Sequence, residues 1–247
     1  SNKINPSRLN FINELADYIF TTGEKVRDDM IEYNRIKANK IISIPTGIDE
    51  SIFNPENFNR EECRKKLTIN DSEIAIGILA VLRQFKRHDL FLKMAKSLIK
   101  KYPGKRLVFI IAGNGPQKEN IEKIINDLNL AENVKMVGHI NNVPEFLCAI
   151  DILVLSSDSK EGVPQSVMQG LFMNKPVVSS DSGSTRDLFN HNNFQLIQKG
   201  SIEALINGVS IYLDNMNEVS SRKYMMENFS SSVMVKKIIT SYEKILE

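Results

Sequence analysis

Short apolar runs alternate along this chain with longer segments in which apolar residues return every three or four positions. The runs at residues 18–21, 40–44, 74–81, 107–112, 134–137, 152–155, 176–179 and 194–197 predict strands. The stronger ones, such as Leu107-Val108-Phe109-Ile110-Ile111-Ala112, lack the polar alternation of a half-wet sheet and predict parallel strands covered on both faces. The periodic segments at 24–33, 89–101, 117–128, 164–173, 202–213 and 232–246 predict helices. Strand and helix in alternation give an α/β fold, a Rossmann-like doubly wound parallel sheet. Ligands of such sheets bind beyond the carboxyl ends of the strands, so the loops there are the places to look for chemistry.

The most informative loop follows the run at 152–155. It carries Glu161, Gly162, Val163, Pro164, Gln165 and Ser166, and Gln169 follows eight positions after Glu161. Pro164 suits a first helical position, because it fixes φ and gives up an N–H that the helix does not use. The next N–H groups face outward with the positive end of the helix dipole behind them, which suits a diphosphate. Periodicity alone is equally satisfied by a capped amphipathic helix with one solvated Glu.

Other strand ends add candidates. Arg83 and Lys86, in the basic turn Arg83-Gln84-Phe85-Lys86-Arg87-His88, offer fixed cations to a leaving group that gains negative charge. Gly113 and Gly115, around Asn114, permit a tight turn and close backbone approach. They do not make a dinucleotide fingerprint, since the third glycine and the later acidic residue of an NAD site are missing. Gly138 and His139 end another strand, and Asp181-Ser182-Gly183-Ser184-Thr185 forms a loop of small residues that turn chemistry explains as well as binding does.

Six segments in this order resemble a known family: ADYIFTTGEKVRDDM, IISIPTGIDESIFNP, IGILAVLRQFKRHD, LVFIIAGNGP, VKMVGHINNVPEFLCAIDILVLSSDSKEGVPQSVMQG and KPVVSSDSG. The family is the large group of retaining GT-B glycosyltransferases that includes sucrose synthase, glycogen synthase and many bacterial polysaccharide enzymes. The resemblance runs along nearly the whole chain. It implies transfer of a sugar from a nucleoside diphosphate donor, UDP by default, with retention at the anomeric carbon. It places the phosphates on Arg83 and Lys86, with Arg87 as substitute for the second contact because the spacing of Arg83 and Lys86 is shorter than usual. It places the base near Gly138 and His139 and the donor sugar on Glu161. Gln169 stands where the family usually has a ribose-binding Glu; it accepts through its carbonyl oxygen but carries no charge. Front-face substitution implies no protein nucleophile and no cofactor. The three histidines have no metal-ligand spacing and no Asp-x-Asp pair is present, so metal independence is expected.

The resemblance also sets an expected organisation. Residues 1–50 read as a remnant of an N-terminal acceptor domain and a linker, 51–228 as the donor-binding domain, and 229–247 as a helix that packs back toward the acceptor domain. The expected partners are the nucleotide-sugar donor, a glycan or lipid-linked acceptor, and the missing acceptor domain or a chain supplying it. Such a fragment is expected to turn over poorly alone. Self-association is expected through the last helix, whose Val235, Ile238, Ile239, Tyr242, Ile245 and Leu246 form one apolar face. A sugar-nucleotide epimerase and a non-catalytic donor-binding subunit are the rival readings.

Composition narrows this further. The chain has 247 residues, 42% hydrophobic and 25% charged, enough for a real core, and its net charge of +2 gives no nucleic-acid footprint. No run reaches the roughly 18 apolar residues of a membrane span. Two cysteines far apart in sequence, Cys63 and Cys148, suit a reducing compartment. The expected location is the cytoplasm, with the inner membrane face as the place for a lipid-linked acceptor.

Overall fold

A computed structural model describes residues 15–158, 162–190, 194–215 and 220–246. Six parallel strands form the main sheet: β3 (Glu73–Leu79), β4 (Arg106–Ala112), β5 (Val134–Gly138), β6 (Ile152–Leu155), β7 (Val177–Ser180) and β8 (Gln195–Ile197). They lie in the order β5-β4-β3-β6-β7-β8. The chain therefore winds outward from β3 in one direction, returns, and continues from β6 in the other. The switch between β3 and β6 opens a crevice above their carboxyl ends.

Both faces of the sheet are covered, as the unbroken apolar runs require. Leu107, Phe109 and Ile111 of β4 join a core with α3 (His88–Lys101), α4 (Lys118–Asp127) and α7 (Ile202–Asp214). Val108, Ile110 and Ala112 join the opposite core with α2 (Arg60–Lys66), α5 (Val143–Ala149), α6 (Gln165–Phe172) and α8 (Arg222–Phe229). Phe109 meets Phe91 of α3 edge to face, with ring centroids 5.9 Å apart. Each such large side chain contributes about 1.5–3 kcal/mol by leaving water.

Three of these helices escape sequence periodicity. In α2 the buried residues are Cys63 and Arg64. Arg64 is 2% exposed and spends its guanidinium on Asp151 at 3.2 Å and on the carbonyls of Ala149, Asn70 and Glu73 at 3.1, 2.6 and 2.7 Å. Asp151 also accepts from Arg60 at 2.5 Å and from the Ala75 N–H at 2.7 Å. One carboxylate, its side chain 9% exposed, thus ties α2 to β3 and to the start of β6. Cys63 and Cys148 come together here as free buried thiols; burial first, and Cys148 second, push the Cys63 thiol up to about 11.

A small second layer precedes the sheet. β1 (Ile19–Thr21) and β2 (Ile41–Ser43) pair in parallel across α1 (Glu24–Glu32). The final helix, α9 (Ser231–Leu246), returns to this layer, where Tyr242 tilts against Phe20 with centroids 5.8 Å apart. Its apolar stripe is open: Val235, Ile239 and Tyr242 are about half exposed and Leu246 is 85% exposed. None of the described helices is long and apolar enough to cross a membrane.

Candidate functional site

A cleft of about 570 Å³ lies above the carboxyl ends of β3, β4 and β5. Its wall brings together Lys86, Gly113, His139, Val163, Pro164, Gln165, Ser166 and Gln169 from the sequence-predicted set, and adds Val81, Asn114, Ile140 and Val143. Glu161 lies outside the described residues.

The helix start at this cleft is built as the pattern suggested, shifted by one residue. Pro164 is the cap, with ψ 116° extended, and the helix begins at Gln165. Its first intrahelical bond runs from the Met168 N–H to the Pro164 carbonyl at 3.2 Å. The N–H groups of Gln165, Ser166 and Val167 therefore have no carbonyl within the helix to meet, and the dipole adds positive potential at the same point. Val167, Met168 and Leu171 bury the opposite face of α6 and fix its direction. Gln169 lines the same wall one turn further on.

Arg83 and Lys86 share one turn, the Lys86 N–H bonding the Arg83 carbonyl at 3.0 Å, but they line different clefts. The Arg83 N–H bonds the Val81 carbonyl at 2.8 Å, a tight three-residue turn around Leu82, whose side chain is wholly buried. That turn leaves Val81 on the cleft wall and carries Arg83 into an adjoining cleft of about 560 Å³ with Gln117 and Asn120. Arg87 does not substitute. Its guanidinium is held by both oxygens of Asp89, at 2.9 and 3.0 Å, and by Asp158 at 3.1 Å. These pairs offset the cost, roughly 1–2 kcal/mol, of an ordinary residue at the left-handed φ of 52° that Arg87 adopts. Lys86 stands over the Phe85 ring at 5.4 Å. His88 is buried, and burial first and Lys86 second hold its imidazole down at about 4, so it is neutral near pH 7.

Gly113 has a structural reason for its identity. At φ 140° a Cβ there would stand 1.9 Å from the Ala80 carbonyl oxygen, so the β4 turn packs directly on the end of β3. Gly115 abuts Leu82 in the same way, outside the residues that line the cleft. Gly138 turns the end of β5 with φ 71° and its carbonyl accepts from Gly113 at 2.7 Å. His139 next to it is exposed. Among the described residues, the buried hydroxyls of Ser157, Ser180 and Ser182 have no hydrogen-bond partner, and all three lie past or at the carboxyl ends of β6 and β7.

Comparison with known proteins gives the family. The family model described as glycosyl transferases group 1 matches residues 59–230. MJ1059 of Methanocaldococcus jannaschii, an uncharacterized glycosyltransferase, is 36% identical over 173 residues, 69% of this chain and 41% of its own length. The UDP-Gal:alpha-D-GlcNAc-diphosphoundecaprenol alpha-1,3-galactosyltransferase of Escherichia coli is 26% identical over 210 residues, 82% of this chain and 54% of its own. The chain spans about half the length of the curated relatives it matches. The crystal structure of Anabaena Alr3699/HepE in complex with UDP-glucose shares the fold, with a TM-score of 0.86 at 17% identity over 98% of this chain and 68% of that one. The family match takes in every strand of the six-stranded sheet and ends at the close of α8, so the expected kinship holds: the chain belongs to the glycosyl transferases group 1.

Proposed function

We propose that this chain holds the donor site of a retaining glycosyltransferase that moves a sugar from a nucleoside diphosphate, UDP by default, to a glycan or lipid-linked acceptor in cell-surface polysaccharide synthesis. The observation that carries the proposal is the free first turn of α6 facing Lys86 across one cleft at the carboxyl ends of the strands. Both supply positive potential where a diphosphate would rest. His139 and Ile140 flank the base end, Gln169 meets ribose, and Glu161 serves the sugar hydroxyls. The similar fold solved with UDP-glucose and the relative named for UDP-Gal and a diphosphoundecaprenol-linked acceptor support the choice of donor and acceptor class.

In the proposed reaction the bond from the anomeric carbon to the β-phosphate oxygen breaks, and the acceptor oxygen bonds to that carbon on the same face. The acceptor proton passes to the departing phosphate. Lys86 and the α6 dipole stabilise the charge left on the diphosphate, an interaction made strongest as the bond breaks. The small layer and α9 belong, in this reading, to the acceptor-side half of the complete enzyme. Calorimetric titration with UDP, UDP-glucose, GDP and NAD tests the proposal. Saturable binding of a nucleoside diphosphate, lost in Lys86→Ala, is the expected outcome; binding of NAD alone would refute it.

A further inference from the structure

The helix α1 begins without a capping side chain of its own. Gly23 precedes it in extended backbone; its carbonyl takes the Arg27 N–H at 3.1 Å, but it has no side chain to offer the N–H groups before that one. Two of them are met from far along the chain: the Glu24 N–H donates to the Asp187 carboxylate at 2.8 Å and the Lys25 N–H to Ser184 Oγ at 3.1 Å. Both acceptors belong to the segment after β7, on the main sheet. The contact has no slack. A Cβ on Gly23 would stand 2.2 Å from Ser184 Oγ and 3.2 Å from a methyl of Val163, and one on Gly162 would meet Thr22 Oγ1 at 3.2 Å. Thr22 and Gly23 therefore lie across Gly162 and Val163, immediately before the free turn of α6, at the edge of the cleft that Val163 lines.

We infer that Asp187 is a positioning residue: by capping α1 from the opposite side of the site it holds Thr22 and Gly23 against Gly162 and Val163 at the edge of the donor cleft, where the exposed Thr22 presents its hydroxyl to the sugar diphosphate. The inference rests on the donor reading above. A carboxylate suits the place, since a helix amino end attracts negative charge and its N–H groups need an acceptor. Ser184 is wholly buried; its oxygen accepts from the Lys25 N–H while its hydroxyl bonds the Asp187 carboxylate, so the two capping groups hold each other in place. The alternative, a cap that merely steadies α1, leaves Thr22 without a role in binding.

Calorimetry with UDP-glucose on the whole chain at fixed pH and ionic strength separates these. Thr22→Val should weaken UDP-glucose binding about tenfold, and Thr22→Ser should restore it. Asp187→Ala should cost a similar factor, and Asp187→Asn, which keeps an oxygen for the Glu24 N–H, should recover most of it. Because Asp187 acts through Thr22, Thr22→Val should change little in the Asp187→Ala background. Unchanged binding by Thr22→Val, or losses that multiply fully in the double variant, would overturn the inference while leaving the donor site standing. Failure of the unmodified chain to bind UDP or UDP-glucose would overturn both. Should Asp187→Ala not fold, the Thr22 pair decides the question alone.

Discussion

Exchanging Val81 for arginine should tighten nucleoside diphosphate binding, whereas removing Arg83 should leave it nearly unchanged. Val81 is 41% exposed on the cleft wall that also carries Lys86, so Val81→Arg gives up little buried area and adds a cation facing the proposed diphosphate position. A hydrogen bond to a charged group contributes about 1.5–3 kcal/mol, which is roughly a ten- to hundredfold gain in affinity at about 1.4 kcal/mol per tenfold. Arg83, exposed in the adjoining cleft, acts only through space. Two unit charges about 10 Å apart in water attract by about 0.4 kcal/mol before salt screening, which sets the scale of a less than twofold change. Lys86→Ala should lose what Val81→Arg gains. Titrating UDP into the four proteins at constant ionic strength, with melting temperatures recorded alongside, measures all three differences. If Arg83→Ala weakens binding as much as Lys86→Ala does, the tight turn at Leu82 does not separate the two cations, and the assignment of the cleft wall is wrong.

Other consequences are open to measurement. The His88 imidazole, held at about 4 against an ordinary 6.5, binds its proton more readily in the unfolded chain, so stability should be complete above about pH 6.5 and fall as pH drops toward 4. The interval corresponds to about 3 kcal/mol, and urea melts at pH 7 and 4.5 should show a shallower pH dependence in His88→Phe; an identical slope would disprove it. Asp151→Asn leaves Arg64 buried without its anion and should cost about 3–5 kcal/mol; a shift in urea midpoint equivalent to less than 1 kcal/mol would contradict the tie between α2, β3 and β6. The open stripe of α9 predicts concentration-dependent self-association, to be reduced in Ile239→Asp; sedimentation showing the unmodified chain monomeric at all concentrations would refute that.

The strands of the main sheet were legible because they are covered on both sides. Burial on two faces leaves β4 apolar at Leu107 and Val108 alike, and such a run has few other readings. The start of α6 was legible to within one residue, since the extended ψ of Pro164 makes it the cap rather than the first helical residue. Short helices were not. The α2 segment is mostly charged and buries Cys63 and Arg64, while α5 buries Pro144 and then every residue from Phe146 to Ala149, so neither shows a stripe to count. The site was legible in its glycines and helix mouth, which are local, and illegible in the direction of Arg83. A single N–H to carbonyl bond across Leu82 decides that direction, and residue types do not record it. The capping of Glu24 by Asp187, 163 residues away, lies beyond any local pattern.

The two places where the chain passes between the small layer and the main sheet run side by side. Ile48 N–H bonds the Phe229 carbonyl at 3.0 Å, and Ser231 N–H bonds the Ile48 carbonyl at 2.8 Å. A Cβ on Gly47 would stand 2.6 Å from the Ser231 Cα. Two separate linkers would let the layers swing and twist independently, like plates joined by loose cords. Stapled together at one point, these crossings behave as one doubled cord: a shift of either segment carries the other with it.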